Sequence, residues 1–310
     1  MKMNIISIAD LKRHELESII FNTKEIKEKP LRYRNSLDGR ILIMLFEKPS
    51  LRTRISLESA MLQLGGNSIY IDRRDTHLGR GETIEDTARI LSRYGDCIAL
   101  RVNEHETILE FSENSRVPVI NALSSMEHPC QIISDLFTIY EIEGKFKGIN
   151  LAYIGDGNNV CNSLLLGCAI LGVNIRVASP PGYEPDKEII VRAIKFSREN
   201  NSLVEILENP REAVKGANFI YTDVWVSMGD EDEEKERLEA FKEYQINREL
   251  LKNADSDCKI MHCLPAHRGL EITDDVIDSE NSIVWEQAEN KLHAHKAILL
   301  KLLNERTMHS

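Results

Sequence analysis

Apolar runs of strand length alternate along this chain with stretches whose apolar residues recur at helical spacing. RILIMLF (Arg40–Phe46) is a continuous apolar run, the pattern of a strand covered on both faces. Helical periodicity follows from about Leu51 to Leu64, and NSIYI reads as the next strand. Thr83 opens a helix with Asp86 near a capping-box position, continued by Ile84, Ala88, Leu91 and Tyr94. CIALRV and VPVIN read as strands, and a helix follows His128-Pro129 to about Glu143. After a basic, glycine-containing break at Gly144–Gly148 the rhythm restarts with NLAYIG as a strand and GDGNN as its turn. A helix over Val160–Leu171, the strand NIRVAS, the loop PPGYEPD and a helix over 187–199 come next. FIYTDVW is a strand, Ser227–Glu234 an acidic loop with a helix behind it, and KIMHCL a strand. The last helix runs from about Glu286 to Leu303, and the N-terminus reads as a short strand or arm, then a helix capped by Asp10.

Buried-type strands alternating with helices imply parallel sheets. The break near residue 145 implies two such α/β blocks. Ligands of such sheets bind beyond the carboxyl ends of strands. Every unusual polar motif in the chain falls just after a predicted strand, which points to an enzyme with a cleft between its domains.

Composition narrows the class. The 310 residues suit about two domains at roughly 150 residues each. Lys and Arg number 39 against 50 Asp and Glu, leaving a net charge of −11. That argues against a nucleic-acid binder, which needs a basic face. Mean hydropathy is −0.30. No apolar run approaches the roughly 18 residues of a membrane span, so no membrane partner is expected. The N-terminus lacks an apolar core followed by small residues, so no signal peptide is expected. Six cysteines (Cys97, Cys130, Cys161, Cys168, Cys258, Cys263) form no paired framework and no C-x-x-C, the usage of a reduced, cytoplasmic enzyme.

Five motifs carry the candidate chemistry. In Phe46-Glu47-Lys48-Pro49-Ser50-Leu51-Arg52-Thr53-Arg54, a strand ends and Ser50 stands at a helix start. Free N–H groups and partial positive charge there suit phosphate, with Ser50, Thr53 and Arg52 as further donors. Arg52 and Arg54 lie about 200° apart on a helix, so one can face an anion while the other pairs elsewhere; Arg52 is the expected ligand. The bland alternative is a capped helix with two solvated arginines. In His128-Pro129-Cys130-Gln131, His128 and Gln131 can converge on one ligand, against a plain capping histidine. Arg101, ending CIALRV, is either a third anion ligand or a solvated strand end. Gly155-Asp156-Gly157-Asn158-Asn159 resembles a dinucleotide loop. It lacks the third glycine and no acidic residue ends the next strand, so a tight β–α turn is the competing reading. Asp223, before Trp225-Val226-Ser227-Met228-Gly229, suits an ammonium group; otherwise it caps a helix. His262-Cys263-Leu264-Pro265-Ala266-His267-Arg268-Gly269 brings a thiol near two imidazoles. No second Cys/His pair stands at ligand spacing, so no metal is expected.

Taken in order, these motifs resemble the transcarbamoylase family, on its ornithine rather than its aspartate branch. SLRTR is similar to the S-T-R-T-R loop, HPCQ to H-P-x-Q, DVWVSMG to D-x-x-x-S-M-G, and HCLPAHRG to the H-C-L-P signature. The resemblance covers nearly the whole chain. It implies transfer of the carbamoyl group of carbamoyl phosphate to the δ-amine of L-ornithine, giving L-citrulline and phosphate, with no cofactor. It implies two doubly wound parallel-sheet domains, residues 1–144 for carbamoyl phosphate and 148–286 for ornithine. The last helix, about 287–310, would return to the first domain. Trimers, or multiples of trimers, with sites at subunit interfaces are implied as well.

By position, Ser50, Leu51 through its N–H, Arg52, Thr53 and Arg101 would hold the phosphate, and His128 and Gln131 the carbamoyl end. His77, in T-H-L-G, would reach in from a neighbouring subunit. Cys263, Leu264 and Lys291 complete the expected carbamoyl-phosphate set. Asn159, Asp223, Ser227 and Met228 would hold ornithine's α-groups, with Asp223 and Cys263 orienting the δ-amine in a thiolate–carboxylate setting. Arg52, Arg101, His128, Asp223 and Cys263 form the expected catalytic set. The Asp223–Gly229 segment is expected to close over ligand. Two positions depart from the family pattern: Leu51 stands where Thr is usual, and Lys291 where Arg is usual. Other readings are the same chemistry on putrescine or an N-acylated ornithine, a nucleotide-dependent dehydrogenase, and a catalytically silent homologue.

Overall fold

The computed structural model describes residues 2–78, 81–227 and 231–304. The chain divides into two compact units, residues 1–137 with 289–310, and residues 138–288.

The first unit begins with Ile5 laid beside residue 120, its N–H on the Val119 carbonyl at 3.0 Å. Buried Glu127 accepts the Ile8 N–H at 3.1 Å and so fixes this arm. Helix α1 spans Arg13–Glu28. Asp10 does not cap it: its carboxylate turns back to accept the Ser7 N–H at 3.0 Å, closing a short 3₁₀ turn. The cap position falls to Lys12, whose N–H is taken by Glu15 at 2.8 Å.

Then come β1 (Ile41–Phe46), α2 (Leu51–Gln63), β2 (Asn67–Asp72), α3 (Ile84–Tyr94), β3 (Cys97–Arg101), α4 (His105–Asn114), β4 (Val119–Leu123) and α5 (Pro129–Glu143). The four strands form one parallel sheet in the order β2-β1-β3-β4. Thr83 Oγ1 accepts the Asp86 N–H, so the α3 start is capped as the sequence predicts. Helix α4 has no counterpart in the sequence reading.

The second unit contains β5 (Asn150–Ile154), α6 (Asn159–Leu171), β6 (Asn174–Ala178), α7 (Lys187–Asn200), β7 (Val204–Leu207), α8 (Pro210–Ala213), β8 (Phe219–Thr222), α9 (Glu234–Ala240), α10 (Arg248–Leu251), β9 (Lys259–His262) and α11 (Asp274–Ile277). Its parallel sheet has the order β7-β6-β5-β8-β9. Helix α6 is buried along almost its whole length, so its apolar residues run all round rather than in a stripe. The final helix, α12 (Val284–Asn304), contributes residue 289 onward to the first unit. There Lys27 Nζ donates to Asn290 Oδ1 at 2.8 Å.

Each sheet reverses strand order once, between β1 and β3 in the first and between β5 and β8 in the second. Crevices at such switch points, beyond the strand carboxyl ends, are where doubly wound sheets bind ligands. Among the described residues, no helix is long and apolar enough to cross a membrane.

Candidate active site

At the first unit's switch point, Phe46 of β1 is in register with Arg101 of β3, and the Glu47 N–H donates to the Arg101 carbonyl at 2.8 Å. Helix α2 starts directly beyond. Ser50 occupies the N-cap position, as the sequence predicts, and its hydroxyl makes no capping bond. The N–H groups of the first turn therefore keep their anion-binding capacity. Arg54 is engaged elsewhere, paired with Glu58 at 3.1 Å and stacked 3.7 Å from the Tyr70 ring centre. Arg52 has no ion pair among the described residues, and Thr53 is buried beside it.

Arg101 is not a solvated strand end. It is buried, and its Nε finds no hydrogen-bond partner among the described residues. Burial pulls its pKa down to about 10. An uncompensated cation held out of water is costly, which marks a place made for an anion.

Pro129 opens α5 at a position where its missing N–H costs nothing. The His128 carbonyl accepts the Gln131 N–H at 3.1 Å. Burial, then the charges of Lys291 and Arg101 and the nearby His295, hold His128 well below the usual histidine pKa, so its ring is neutral. Gln131 is clamped at both ends of its amide: Nε2 donates to Asp135 at 2.9 Å, and Oε1 accepts from Lys291 at 2.8 Å. Lys291, Gln131 and Asp135 are all buried. Nothing local in the sequence pairs residues so far apart. His77 is exposed in the segment after β2.

At the second unit's switch point, Asn158 caps α6, its Oδ1 taking the N–H groups of Val160 and Cys161 at 3.0 and 3.1 Å. Its Nδ2 donates to Asp223 Oδ2 at 2.9 Å. The other Asp223 oxygen accepts the Val224 N–H at 2.8 Å and the Cys263 thiol at 2.9 Å. Cys263 and Asp223 are thus direct hydrogen-bond partners, the thiol donating to the carboxylate. Asn158 is a site residue outside the expected set, which has its neighbour Asn159, the first residue of α6. The signal was there, since an Asn one residue before a helix is a cap.

Asp156 is ion-paired with buried Arg237, whose Nε donates to the Trp225 carbonyl at 2.6 Å. Arg237 also lies over the Tyr183 ring, 4.9 Å from its centre. The turn after β5 and the segment after β8 are therefore tied to α9. A Cβ on Gly157 would collide with the Glu184–Pro185 backbone, and the Gly157 N–H donates to the Tyr183 carbonyl at 2.9 Å. The G-x-G spacing serves this close chain approach, which removes the main support for a dinucleotide loop. Ser227 is half-buried at the end of a described segment. Met228, expected on the ornithine side, lies outside the described residues.

Asp223, His262 and Cys263 place one potential ligand atom each within 4.8 Å of one another. His262 has no lone pair to offer an ion: Nδ1 accepts the Leu264 N–H at 2.9 Å and Nε2 donates to Glu271 at 3.0 Å. The trio is a hydrogen-bonded corner. Leu264 adopts φ +55 and a cis bond to Pro265.

Two doubly wound parallel-sheet units, each with polar groups gathered at its switch point, define an α/β enzyme. Residues 3–141 match the family domain described as "Aspartate/ornithine carbamoyltransferase, carbamoyl-P binding domain". Residues 147–302 match "Aspartate/ornithine carbamoyltransferase, Asp/Orn binding domain". The chain is 51% identical over 306 residues to a protein of Archaeoglobus fulgidus called "Ornithine carbamoyltransferase", covering 97% of this chain and 98% of that one. It is 50% identical over 303 residues to one of Thermoplasma volcanium called "Ornithine carbamoyltransferase, catabolic", covering 98% and 99%. The solved structure of the ornithine carbamoyltransferase from Pyrococcus furiosus superposes with a TM-score of 0.95 at 47% identity, covering 98% of this chain and 97% of that one. The chain belongs to the aspartate/ornithine carbamoyltransferase family, and it is a carbamoyltransferase enzyme.

Proposed function

We propose that the acceptor is L-ornithine, whose δ-amine attacks the carbonyl carbon of carbamoyl phosphate. The C–N bond forms, the C–O bond to phosphate breaks, the attacking nitrogen gives up one proton, and citrulline and phosphate leave. The observation that carries this reading is Asp223, a buried carboxylate at the switch point that Asn158, the Val224 N–H and the Cys263 thiol hold in one orientation. Such a group suits an ammonium.

In this reading the α2 N-terminus (Ser50, Leu51, Arg52, Thr53) and Arg101 take the phosphate and stabilise it as it departs. His128 and Gln131 hold the carbamoyl group, with Lys291 fixing Gln131. His77, Cys263 and Leu264 complete the carbamoyl-phosphate contacts. Asn159, Asp223, Ser227 and Met228 bind the amino acid, and Cys263 with Asp223 orients the attacking amine. Residues 1–144 with 287–310 form the carbamoyl-phosphate domain and 148–286 the ornithine domain. Carbamoyl phosphate carries its own leaving group, so positioning and charge stabilisation suffice without a covalent nucleophile. The same machinery serves arginine biosynthesis, or the reverse reaction in arginine degradation.

We further propose a homotrimer, or a multiple of trimers. Leu51 and Ile55 are exposed by 69% and 51% and lie about 40° apart around α2. Ile69, on edge strand β2, is exposed as well. Apolar stripes of this kind suit burial against another copy. All six cysteines are free thiols, which supports a cytoplasmic location.

The test presents carbamoyl phosphate with ornithine, putrescine, aspartate and N-acetylornithine separately. Carbamoylated product is expected with ornithine alone. Turnover on putrescine or N-acetylornithine at a comparable rate would remove the α-group assignments. Light scattering tests the trimer.

A further inference from the structure

The first unit contains a cavity of about 350 Å³ lined by Leu31, Tyr33 and Arg34 from the segment after α1, Leu62 and Leu64 from the end of α2, and Lys296 of α12. The volume lies within the range of small-molecule sites. None of these residues belongs to the candidate active site.

Lys296 is the unusual member. It is only 3% exposed, and it makes no hydrogen bond or ion pair among the described residues. Lysines at a surface ordinarily carry the ammonium out to water along the aliphatic stem. Burial of the side chain lowers its pKa, and this cation, which lines the cavity, has no counter-charge among the described residues. No acid acts on it, since burial alone moves its pKa, and acids of the flanking helices are committed elsewhere. Glu25 pairs with Arg32 and bonds the Tyr33 hydroxyl. Glu289 lies 3.6 Å from His293. The second cation of the lining, Arg34, is exposed and has no ion pair among the described residues. The remaining walls are Leu31, Leu62, Leu64 and Pro30, with the Tyr33 ring and Gln63.

We propose that this cavity is a second ligand site, for a small monocarboxylate with a hydrocarbon or aromatic body. The carboxylate meets Lys296 and Arg34, and the body lies against Leu31, Leu62 and Leu64. A bare anion would leave the apolar walls wet, and a neutral apolar molecule would leave Lys296 unpaired. Only a ligand with both parts satisfies the lining. The site is independent of the acceptor assigned above.

The experiment is calorimetric titration of the intact enzyme with 4-phenylbutyrate. Saturable binding at one equivalent per chain is expected. Lys296→Met should weaken it at least tenfold, and Arg34→Gln, at an exposed position that folding tolerates, by several-fold. Arg52→Ala should leave it unchanged. Acetate and 4-phenylbutan-1-ol, each carrying half of the ligand's chemistry, should bind at least tenfold more weakly. Absence of saturable binding, equal binding by wild type and both pocket variants, or loss of binding in Arg52→Ala would overturn the proposal. If a second copy fills the cavity instead, wild type will not bind the probe and Lys296→Met will change the particle mass, which also overturns it.

Discussion

Lys291 Nζ donates to Gln131 Oε1 at 2.8 Å, joining residues 160 positions apart. Gln131 in turn donates to Asp135 at 2.9 Å, so a three-residue chain runs from α12 into α5. Where the family pattern has arginine, this chain has a point charge without the planar fork. Its observed work is to hold a glutamine amide and to sit beside neutral His128.

Lys291→Met is therefore expected to release Gln131 and to raise the carbamoyl-phosphate KM with a fall in kcat, together about 10- to 100-fold in kcat/KM, the scale of a hydrogen bond to a charged group. It should also move the His128 pKa upward, because a positive neighbour is lost. Lys291→Arg should recover part of the rate. Steady-state kinetics and an NMR titration of His128 provide the check. An unmoved His128 together with wild-type kinetics would remove Lys291 from the machinery.

Arg52→Ala should raise the carbamoyl-phosphate KM and lower kcat, because a phosphate contact tightens as charge builds on the leaving group. A 10- to 100-fold loss in kcat/KM is about the value of one charge-assisted bond. Stability should stay nearly unchanged, since Arg52 pairs with no acid among the described residues. Arg54→Ala removes the Glu58 pair and the Tyr70 stacking and should leave KM near wild type. Equal effects of the two variants would contradict the division of roles read from their spacing.

The α/β rhythm was legible because the central strands are buried on both faces and appear as unbroken apolar runs; RILIMLF is the clearest case. Strand β7 is half-buried at a sheet edge and escaped notice, as did α4, whose HETILEFSEN shows few apolar positions. Motif residues at strand ends were legible one by one. Their partners were not. Lys291 and Gln131, Asp223 and Cys263, and Asp156 and Arg237 meet only through the fold, and no local period announces a contact across 160, 40 or 81 residues. The Asp10 cap failed for a related reason, and Ser50 holds its cap position without a capping bond. A side chain that can cap a helix can equally close a 3₁₀ turn, or leave the helix end to a ligand.

Stability should depend on pH through His128 and His295. Both are buried, and burial, with Lys291 nearby, holds each well below the ordinary value of 6.5. Below pH 6.5 the unfolded chain takes up protons that the folded chain refuses, so folding stability is full above that pH and falls as pH drops beneath it. The slope is about 1 kcal/mol per pH unit for each neutral histidine. Denaturant unfolding at pH 5.0, 6.0 and 7.5 measures it, and His295→Asn should reduce it. An identical slope in that variant would show that carboxylates set the acid limb.

Asp223→Asn should weaken ornithine far more than carbamoyl phosphate. The substitution keeps the shape, and an amide oxygen can still accept from Asn158 or from the Val224 N–H. It removes the charge proposed to face the amine, and the new NH₂ confronts donors where the carboxylate accepted three bonds. Loss of a charge-assisted contact and one mismatched donor together amount to about 3 kcal/mol, or roughly 100-fold in ornithine kcat/KM. Cys263→Ser keeps a donor to Asp223 and should lose less than Cys263→Ala. Ornithine, or an unreactive analogue bound with carbamoyl phosphate, should slow alkylation of Cys263, the one cysteine that is not buried. The order Ser above Ala in residual activity, with ornithine affinity falling in the same order, is the signature of a thiol that works by orienting a carboxylate. Equal loss of affinity for both substrates in Asp223→Asn, or full activity in Cys263→Ala, would show that this corner only holds the fold together.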